Sequence, residues 1–195
     1  MSKILKKFCS LFGYKLLPKN YIKNKNYISK FSYLKLEKII SKLVEKKIIN
    51  SLIQIGANDG VSHDHLHNII KKFRLESLLL EPIKKYFLEL QNNYSNYDNV
   101  KLENSALSVN NEIIFLYKVN PEYFDKYGTI SSGISSFYKK HLIQHGIKKK
   151  HIIQEKVNQI NFDALLQKYN FKSFDLLLID TEGYDCQIVK IGRAH

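Results

Sequence analysis

Two carboxylates, Asp180 and Glu182, directly follow the apolar run Phe174–Ile179, where a buried strand is expected to end. Charged groups are costly beside a buried strand unless they have a partner or a function. Such a pair can act as a general base, hold a substrate hydroxyl, or bind a divalent cation together with a third ligand. Either carboxylate can instead cap the helix that follows.

A further carboxylate, Glu81, directly follows the apolar run 78–80, at the end of a strand predicted over 75–80. At the end of a second strand, a carboxylate can accept hydrogen bonds from both ribose hydroxyls of an adenosine ligand. The alternative is that Glu81 stabilises the first turn of the helix that begins at Pro82. Its distance of about 20 residues from a preceding glycine turn favours the ribose interpretation.

That glycine turn, Gly56-Ala-Asn-Asp-Gly60, follows a short apolar strand over 52–55. Glycine lets the backbone turn sharply and approach a ligand closely. The turn contains neither G-x-G-x-x-G nor the Lys-Ser/Thr of a phosphate-binding loop, which argues against a dinucleotide or ATP. An Asn-Asp-Gly sequence can also be only a tight turn.

The elements that must position these residues alternate between strands and helices from residue 50 onward. This alternation predicts an α/β fold, with a parallel sheet that carries helices on both faces and binds ligands at the carboxyl ends of its strands. Residues 120–136 are expected to form a loop that covers the acceptor. The predicted strands cover 52–55, 75–80, 100–102, 112–119, 152–157 and 174–179, and the predicted helices cover 64–73, 83–92, 137–145 and 162–169.

The net charge of +13 is concentrated at the N-terminus, since residues 1–50 contribute +11 and the rest only +2. Residues 4–12 and 34–49 each have the apolar spacing of an amphipathic helix. A basic helix can contact anionic lipid, and we expect any peripheral membrane contact within residues 1–30, although packing on a protein surface is the simpler alternative. The basic residues are 29 lysines and two arginines, which is not typical of nucleic-acid recognition, so we predict no nucleic-acid partner.

Neither a membrane span nor a signal peptide is evident, and Cys9 and Cys186 are isolated, so we predict a cytoplasmic protein. His63 and His67 would share one face of a helix, as two metal ligands do. No second ligand set accompanies them, and we predict no metal site.

Four segments resemble, in order and spacing, the FkbM family of S-adenosylmethionine (SAM)-dependent methyltransferases across roughly residues 50–190. They are Ile53–Gly60, Leu80–Pro82, Glu103–Leu107 and Leu178–Asp185. The resemblance implies a class I, Rossmann-like methyltransferase sheet. It also implies transfer of a methyl group from SAM to a hydroxyl of a sugar, glycan or natural product.

The resemblance also implies a role for each motif. Asp180 is the first choice for the general base and Glu182 the second, with Tyr184 and Asp185 positioning the acceptor. Many relatives have Asp where Gln54 stands, and Gln54 can bind the amino-acid end of SAM only as a neutral group. The remaining cofactor contacts are expected from Gly56, Ala57, Asn58, Asp59 and Gly60 at the methionine part, Glu81 at the ribose, and Asn104 and Ala106 beside the adenine.

These observations predict a basic helical extension over residues 1–49 and a SAM-binding domain over 50–190. The Ile-Gly-Arg-Ala-His sequence of residues 191–195 resembles a translated sequencing adaptor. We therefore expect it to be an artefactual tail on a domain that lacks its last strands. The competing hypothesis is a non-catalytic nucleotide-binding or membrane-docking and glycan-docking module with a basic N-terminal arm.

Overall fold

The computed structural model describes residues 35–62, 64–108 and 114–191. The chain divides into two compact units, Met1–Ile48 and Ile49–His195. The predictions for the helix at 4–12, membrane contact through 1–30, His63 and the tail after residue 191 lie outside the described residues. Within the described residues, no helix is long and apolar enough to cross a membrane.

The described part of the first unit contains one helix, α1, over Leu36–Glu45. Its apolar residues recur every three to four positions, which places them on one face of a helix. Ile40 and Val44 on that face are buried. The helix predicted over 34–49 is therefore confirmed, with shorter ends.

The second unit is a mixed α/β fold. Its strands are β1 (Ser51–Ile55), β2 (Glu76–Leu80), β3 (Val100–Glu103), β4 (Ala106–Leu107), β5 (Ile114–Val119), β6 (Ser135–Ser136), β7 (Ile152–Val157), β8 (Gln159–Ile160) and β9 (Leu176–Ile179). Its helices are α2 (His67–Phe73), α3 (Lys84–Asn93), α4 (Phe124–Tyr127), α5 (Ile130–Gly133), α6 (Lys139–Gln144), α7 (Phe162–Tyr169) and α8 (Asp185–Ile191). Short 3-10 turns cover Pro121–Tyr123 and Lys149–His151.

A four-stranded parallel sheet, in the order β3-β2-β1-β9, forms the centre of this unit. Continuous apolar runs form its inner strands because both of their faces are covered, and all five residues of β1 are buried. Ile55 is paired with Leu80 on one side and with Ile179 on the other. The residues that follow these three positions therefore emerge together at one edge of the sheet.

The last strand, β9, is less buried than its apolar sequence predicts. All four of its residues are half-buried, and the strand begins two positions later than expected. One edge of β9 pairs with β1, and within the described part of the chain no strand pairs with its other edge. The open edge explains the partial exposure, because an unpaired edge strand lacks cover on that side.

A second, antiparallel sheet has the order β6-β5-β7. The side chains of its central strand range from exposed, as at Phe115, to buried, as at Leu116 and Val119. The segment predicted as a loop over 120–135 is not entirely irregular, since it contains two one-turn helices and β6.

Three helix starts of this unit differ from the prediction: α6 begins at Lys139 rather than at residue 137, and the other two differ at a polar or a cyclic residue. Helix α2 begins at His67 rather than at residue 64, and the Asp64 carboxylate accepts a hydrogen bond from the Leu66 amide, just ahead of the helix (2.7 Å). Helix α3 begins at Lys84, so Pro82 precedes the helix rather than occupying its first position. In both cases the polar or cyclic residue shapes the entry to the helix.

Candidate active site

A cavity of about 420 Å³ lies where β1, β2 and β9 end. Segment 129–137, which contains α5 and β6, forms another part of its wall. Eight of the eleven residues predicted to form the site line this cavity. They are Gln54, Gly56, Ala57, Asn58, Glu81, Ala106, Asp180 and Glu182. The sheet therefore brings the separate motifs into one place.

Gly56 lies directly against the backbone of Asp180, in the last of these motifs. Its φ of +85° is rarely adopted by other residues, and a Cβ there would lie 1.9 Å from the carbonyl oxygen of Asp180. The amide of Gly56 and that of Ala57 both donate to the Leu80 carbonyl (3.0 and 2.9 Å). Glycine is thus required by the packing of the strand ends themselves.

Glu81 is buried at this edge and accepts two backbone hydrogen bonds. One of its oxygens accepts from the Asn58 amide (2.9 Å) and the other from the Ile83 amide (2.8 Å). Burial raises the pKa of Glu81 to about 7, although these amides lower it, and the negative charges of Glu155 and Asp59 raise it further. The glycine turn and the start of α3 are therefore joined through one carboxyl group.

Three predicted cofactor contacts, Asp59, Gly60 and Asn104, do not line the cavity. A Cβ at Gly60 would lie 2.4 Å from Leu90, so its glycine is needed for packing against α3. The Asn104 amide group donates to the carbonyls of Glu81 and Pro82 (2.8 and 3.1 Å) and shapes the loop after β2.

The Asp59 carboxylate accepts hydrogen bonds from the Val61 amide (2.9 Å) and from Ser62. Burial alone would raise the pKa of Asp59, but these hydrogen bonds outweigh it and lower the pKa overall. Asp59 therefore stabilises the turn that contains it, which agrees with the alternative that this segment is a tight turn.

Gln54 lies inside β1, is 4% exposed, and faces the cavity. Its side chain lies against the carboxyl of Asp64, which also lines the cavity. The burial of Asp64 raises its pKa, whereas the hydrogen bond from the Leu66 amide and the proximity of the Gln54 side chain, His67 and His65 lower it.

Asp180 lines the cavity, while its amide continues the sheet by donating to the Ile55 carbonyl (2.9 Å). The residue is exposed overall, but partial burial raises the pKa of Asp180, and the nearby carboxylates of Glu182 and Asp185 raise it further. Asp185, not Asp180, accepts hydrogen bonds from the amide and hydroxyl of Thr181 (2.8 and 2.9 Å). The turn before α8 is therefore capped without using Asp180.

Glu182 adopts a left-handed backbone conformation, with a φ of 49°. The Ser136 hydroxyl donates to its carbonyl oxygen (2.7 Å), and its carboxylate lies 2.8 Å from Nε2 of His141. A Cβ on the adjacent Gly183 would lie 3.2 Å from the His141 ring. These contacts fix Glu182 from the side of β6 and α6.

Asp64, which lines the cavity, and His141, which contacts Glu182, are polar residues near the predicted site residues that the sequence analysis did not assign to the site. The position of Asp64, between two histidines, resembled that of a helix cap, which concealed its place in the cavity. His141 is 41 residues from Glu182, and no local spacing connects them. Tyr184 and Asp185, expected to position the acceptor, do not line the cavity.

Comparison with known protein families gives a match that covers these motifs. A family model described as the methyltransferase FkbM domain matches residues 54–193. Searches of curated proteins and of solved structures find no match. The family match spans both the glycine turn after β1 and the paired carboxylates after β9, which is most of the chain. The chain therefore belongs to the FkbM methyltransferase family.

Proposed function

We propose that this methyltransferase uses SAM and methylates a hydroxyl oxygen of a sugar, glycan or natural product. The main support for the proposal is that Gln54, Glu81 and Asp180 line the same cavity at the carboxyl edge of the parallel sheet. In open α/β sheets this edge is where ligands bind.

The residues present fit SAM as the methyl donor. Gly56 leaves the end of β1 without a side chain, and Ala57 adds only a methyl group beside it. Each oxygen of Glu81 accepts one amide hydrogen bond and retains a lone pair for a ribose hydroxyl. Gln54 has a buried side-chain oxygen with no hydrogen-bond partner among the described residues. Ala106 offers an apolar wall suited to adenine.

The chemistry assigned to the protein is positioning and removal of a proton. SAM supplies, when bound, a methyl group that is already electrophilic. Asp180 would accept the proton of the acceptor hydroxyl, since no described group donates a hydrogen bond to its carboxylate and its pKa is raised. Glu182, which is held by its contact with His141, would orient the acceptor.

We further propose that the parallel sheet is a class I, Rossmann-like methyltransferase sheet that continues beyond β9. Half-burial of all four β9 residues supports this extension, because apolar side chains of this kind are normally covered in a parallel sheet. On this proposal, the domain over 50–190 is incomplete without the strands that cover this edge.

The first test is calorimetric titration of the chain with S-adenosylhomocysteine (SAH), the demethylated product of SAM. The proposal expects a dissociation constant below a millimolar, and absence of binding contradicts it. Transfer is then measured with methyl-labelled SAM and a panel of free sugars and glycosides.

The role of Asp180 is tested separately by Asp180→Ala. Loss of the proton acceptor is expected to abolish transfer and to leave SAM affinity within a few-fold of the parent protein. If SAM binding is lost instead, Asp180 holds the cofactor and is not the base.

A further inference from the structure

Two buried oxygens of residues that line the cavity have no hydrogen-bond donor among the described residues. They are Oε1 of Gln54 and Oδ2 of Asp64. Other buried atoms without a partner occur in the described residues only at Asn99 and Gln159, and neither of these lines the cavity. The two unpaired oxygens at the site are therefore not part of a general lack of hydrogen bonds in this region.

Leaving such oxygens unpaired is costly, more so when one belongs to a carboxylate. In native structures an unsatisfied buried group calls for a specific explanation, and a missing ligand is one. The contact of the Gln54 side chain with the Asp64 carboxyl means that one ligand group can reach both residues. The other oxygen of Asp64 is already occupied by the Leu66 amide.

The ligand group that suits two acceptors is one that brings several donors and no acceptor. A primary ammonium has three donors, no acceptor, and the positive charge that an ionised carboxylate requires. No lysine or arginine occurs among the described residues that line the cavity, so this part of the protein provides no ammonium or guanidinium group, although the nearby His67 and His65 lower the pKa of Asp64.

We propose that Asp64 and Gln54 together bind the primary ammonium group of the methyl donor, with Asp64 supplying the negative charge that Gln54 lacks. This inference rests on the proposed use of SAM. Asp64 reaches the cavity from the loop before α2, ten residues after Gln54 on β1. The charge is thus provided from outside the strand that carries the first motif.

The test compares two ligands that differ at this group. SAH carries the ammonium, whereas 5′-methylthioadenosine shares the adenosine but lacks the amino-acid part. Calorimetry on Asp64→Asn is expected to show SAH binding weakened roughly tenfold or more, because a charge-assisted hydrogen bond is lost. Binding of 5′-methylthioadenosine should change less than twofold. Asp125→Asn, a change of the same type at an exposed position, should alter neither ligand.

A second variant places the carboxylate at position 54, on β1, instead of at position 64. Gln54→Asp, combined with Asp64→Asn, is expected to recover most of the lost SAH affinity, since the ammonium again meets one carboxylate. Thermal unfolding of the ligand-free proteins provides the folding control. Asn retains the oxygen that accepts from the Leu66 amide, so Asp64→Asn should unfold at no lower temperature than the parent.

The outcomes are distinguishable. If the parent protein binds neither ligand, the proposed function fails and this inference fails with it. Equal weakening of both ligands by Asp64→Asn would mean that Asp64 acts through the shape of the cavity, and unchanged SAH affinity would mean that the ammonium binds elsewhere. Either of these results overturns the inference while the proposed use of SAM stands.

Discussion

The protonation of Glu81 gives two opposite pH dependences that can be measured on one protein. Its pKa of about 7, against an ordinary value of 4.5, is due first to burial. A ribose hydroxyl donates its hydrogen bond to the ionised carboxylate and therefore binds best when Glu81 has lost its proton. With a pKa near 7, the ionised fraction falls about tenfold between pH 8 and pH 6. SAH affinity should fall about tenfold over the same range, or roughly 1.4 kcal/mol.

The stability of the ligand-free protein should change in the other direction. A carboxyl whose pKa is raised on folding binds its proton more tightly in the folded state. Its stabilising contribution is complete below pH 4.5 and is lost as the pH rises through 7. The shift of about 2.5 units corresponds to at most about 3 kcal/mol of unfolding free energy. Urea unfolding at pH 5 and pH 8 measures this difference.

Glu81→Gln is the control, because it removes the titration at this position. The variant should show a flattened pH profile for SAH, while Asp64→Asn should retain the profile of the parent. The glutamine cannot accept from both the Asn58 and Ile83 amides, and we expect a cost of about 1–3 kcal/mol in stability at pH 5. If SAH affinity in the parent is independent of pH, or if Glu81→Gln leaves its pH dependence intact, the assignment of Glu81 to the ribose is wrong.

Two further predictions concern the strand ends and the second carboxylate. Gly56→Ala should destabilise the protein by roughly 3 kcal/mol or more in urea unfolding, since strain at positive φ adds to the contact with the Asp180 carbonyl. Gly133→Ala, in a helix and with open space at its Cβ, should be neutral or slightly stabilising, and comparable losses in both variants would refute this reasoning. His141→Ala should lower methyl transfer without changing SAH affinity, and His141→Gln should restore part of it by donating to Glu182. Equal loss in both His141 variants would argue against positioning through this hydrogen bond.

The sequence was sufficient for the parallel sheet because β1, β2 and β9 each contain a short apolar run that is followed directly by a glycine or a carboxylate. Strands β1, β2 and β9 end in register, at Ile55, Leu80 and Ile179. The rule that ligands bind at this edge of the sheet was therefore enough to group Gly56, Glu81 and Asp180. The prediction depended on the ends of the strands rather than on their lengths.

Sequence position was a less reliable guide to the separate roles of adjacent residues within one motif. Gly60 and Asp59 belong to the glycine turn by sequence, yet one packs against α3 and the other holds the turn together. Asn104 likewise bonds to backbone carbonyls of the loop after β2. Sequence spacing cannot distinguish a residue that faces a ligand from one that supports the residue facing it.

Contacts between distant segments could not be predicted at all. Strand β5 pairs with β7, although two one-turn helices and α6 separate them in the sequence. No pattern within either strand indicates which strand it pairs with. The contact of His141 with Glu182 depends on where that segment packs. The part of the site expected to bind the acceptor is built largely from such contacts, which is why its residues were the hardest to identify.

The four carboxyl groups of the cavity differ in how many hydrogen bonds they already accept, and this difference separates their roles. Glu81 accepts two backbone amides, Asp64 accepts one, and Glu182 contacts the His141 ring. Within the described residues, no group donates to the carboxylate of Asp180. A proton acceptor must offer an oxygen lone pair to the reacting hydroxyl, and hydrogen bonds to that carboxylate would lower its basicity. Asp180 combines a raised pKa with a carboxylate that accepts no hydrogen bond from the described residues. Its oxygens therefore remain available to accept a proton.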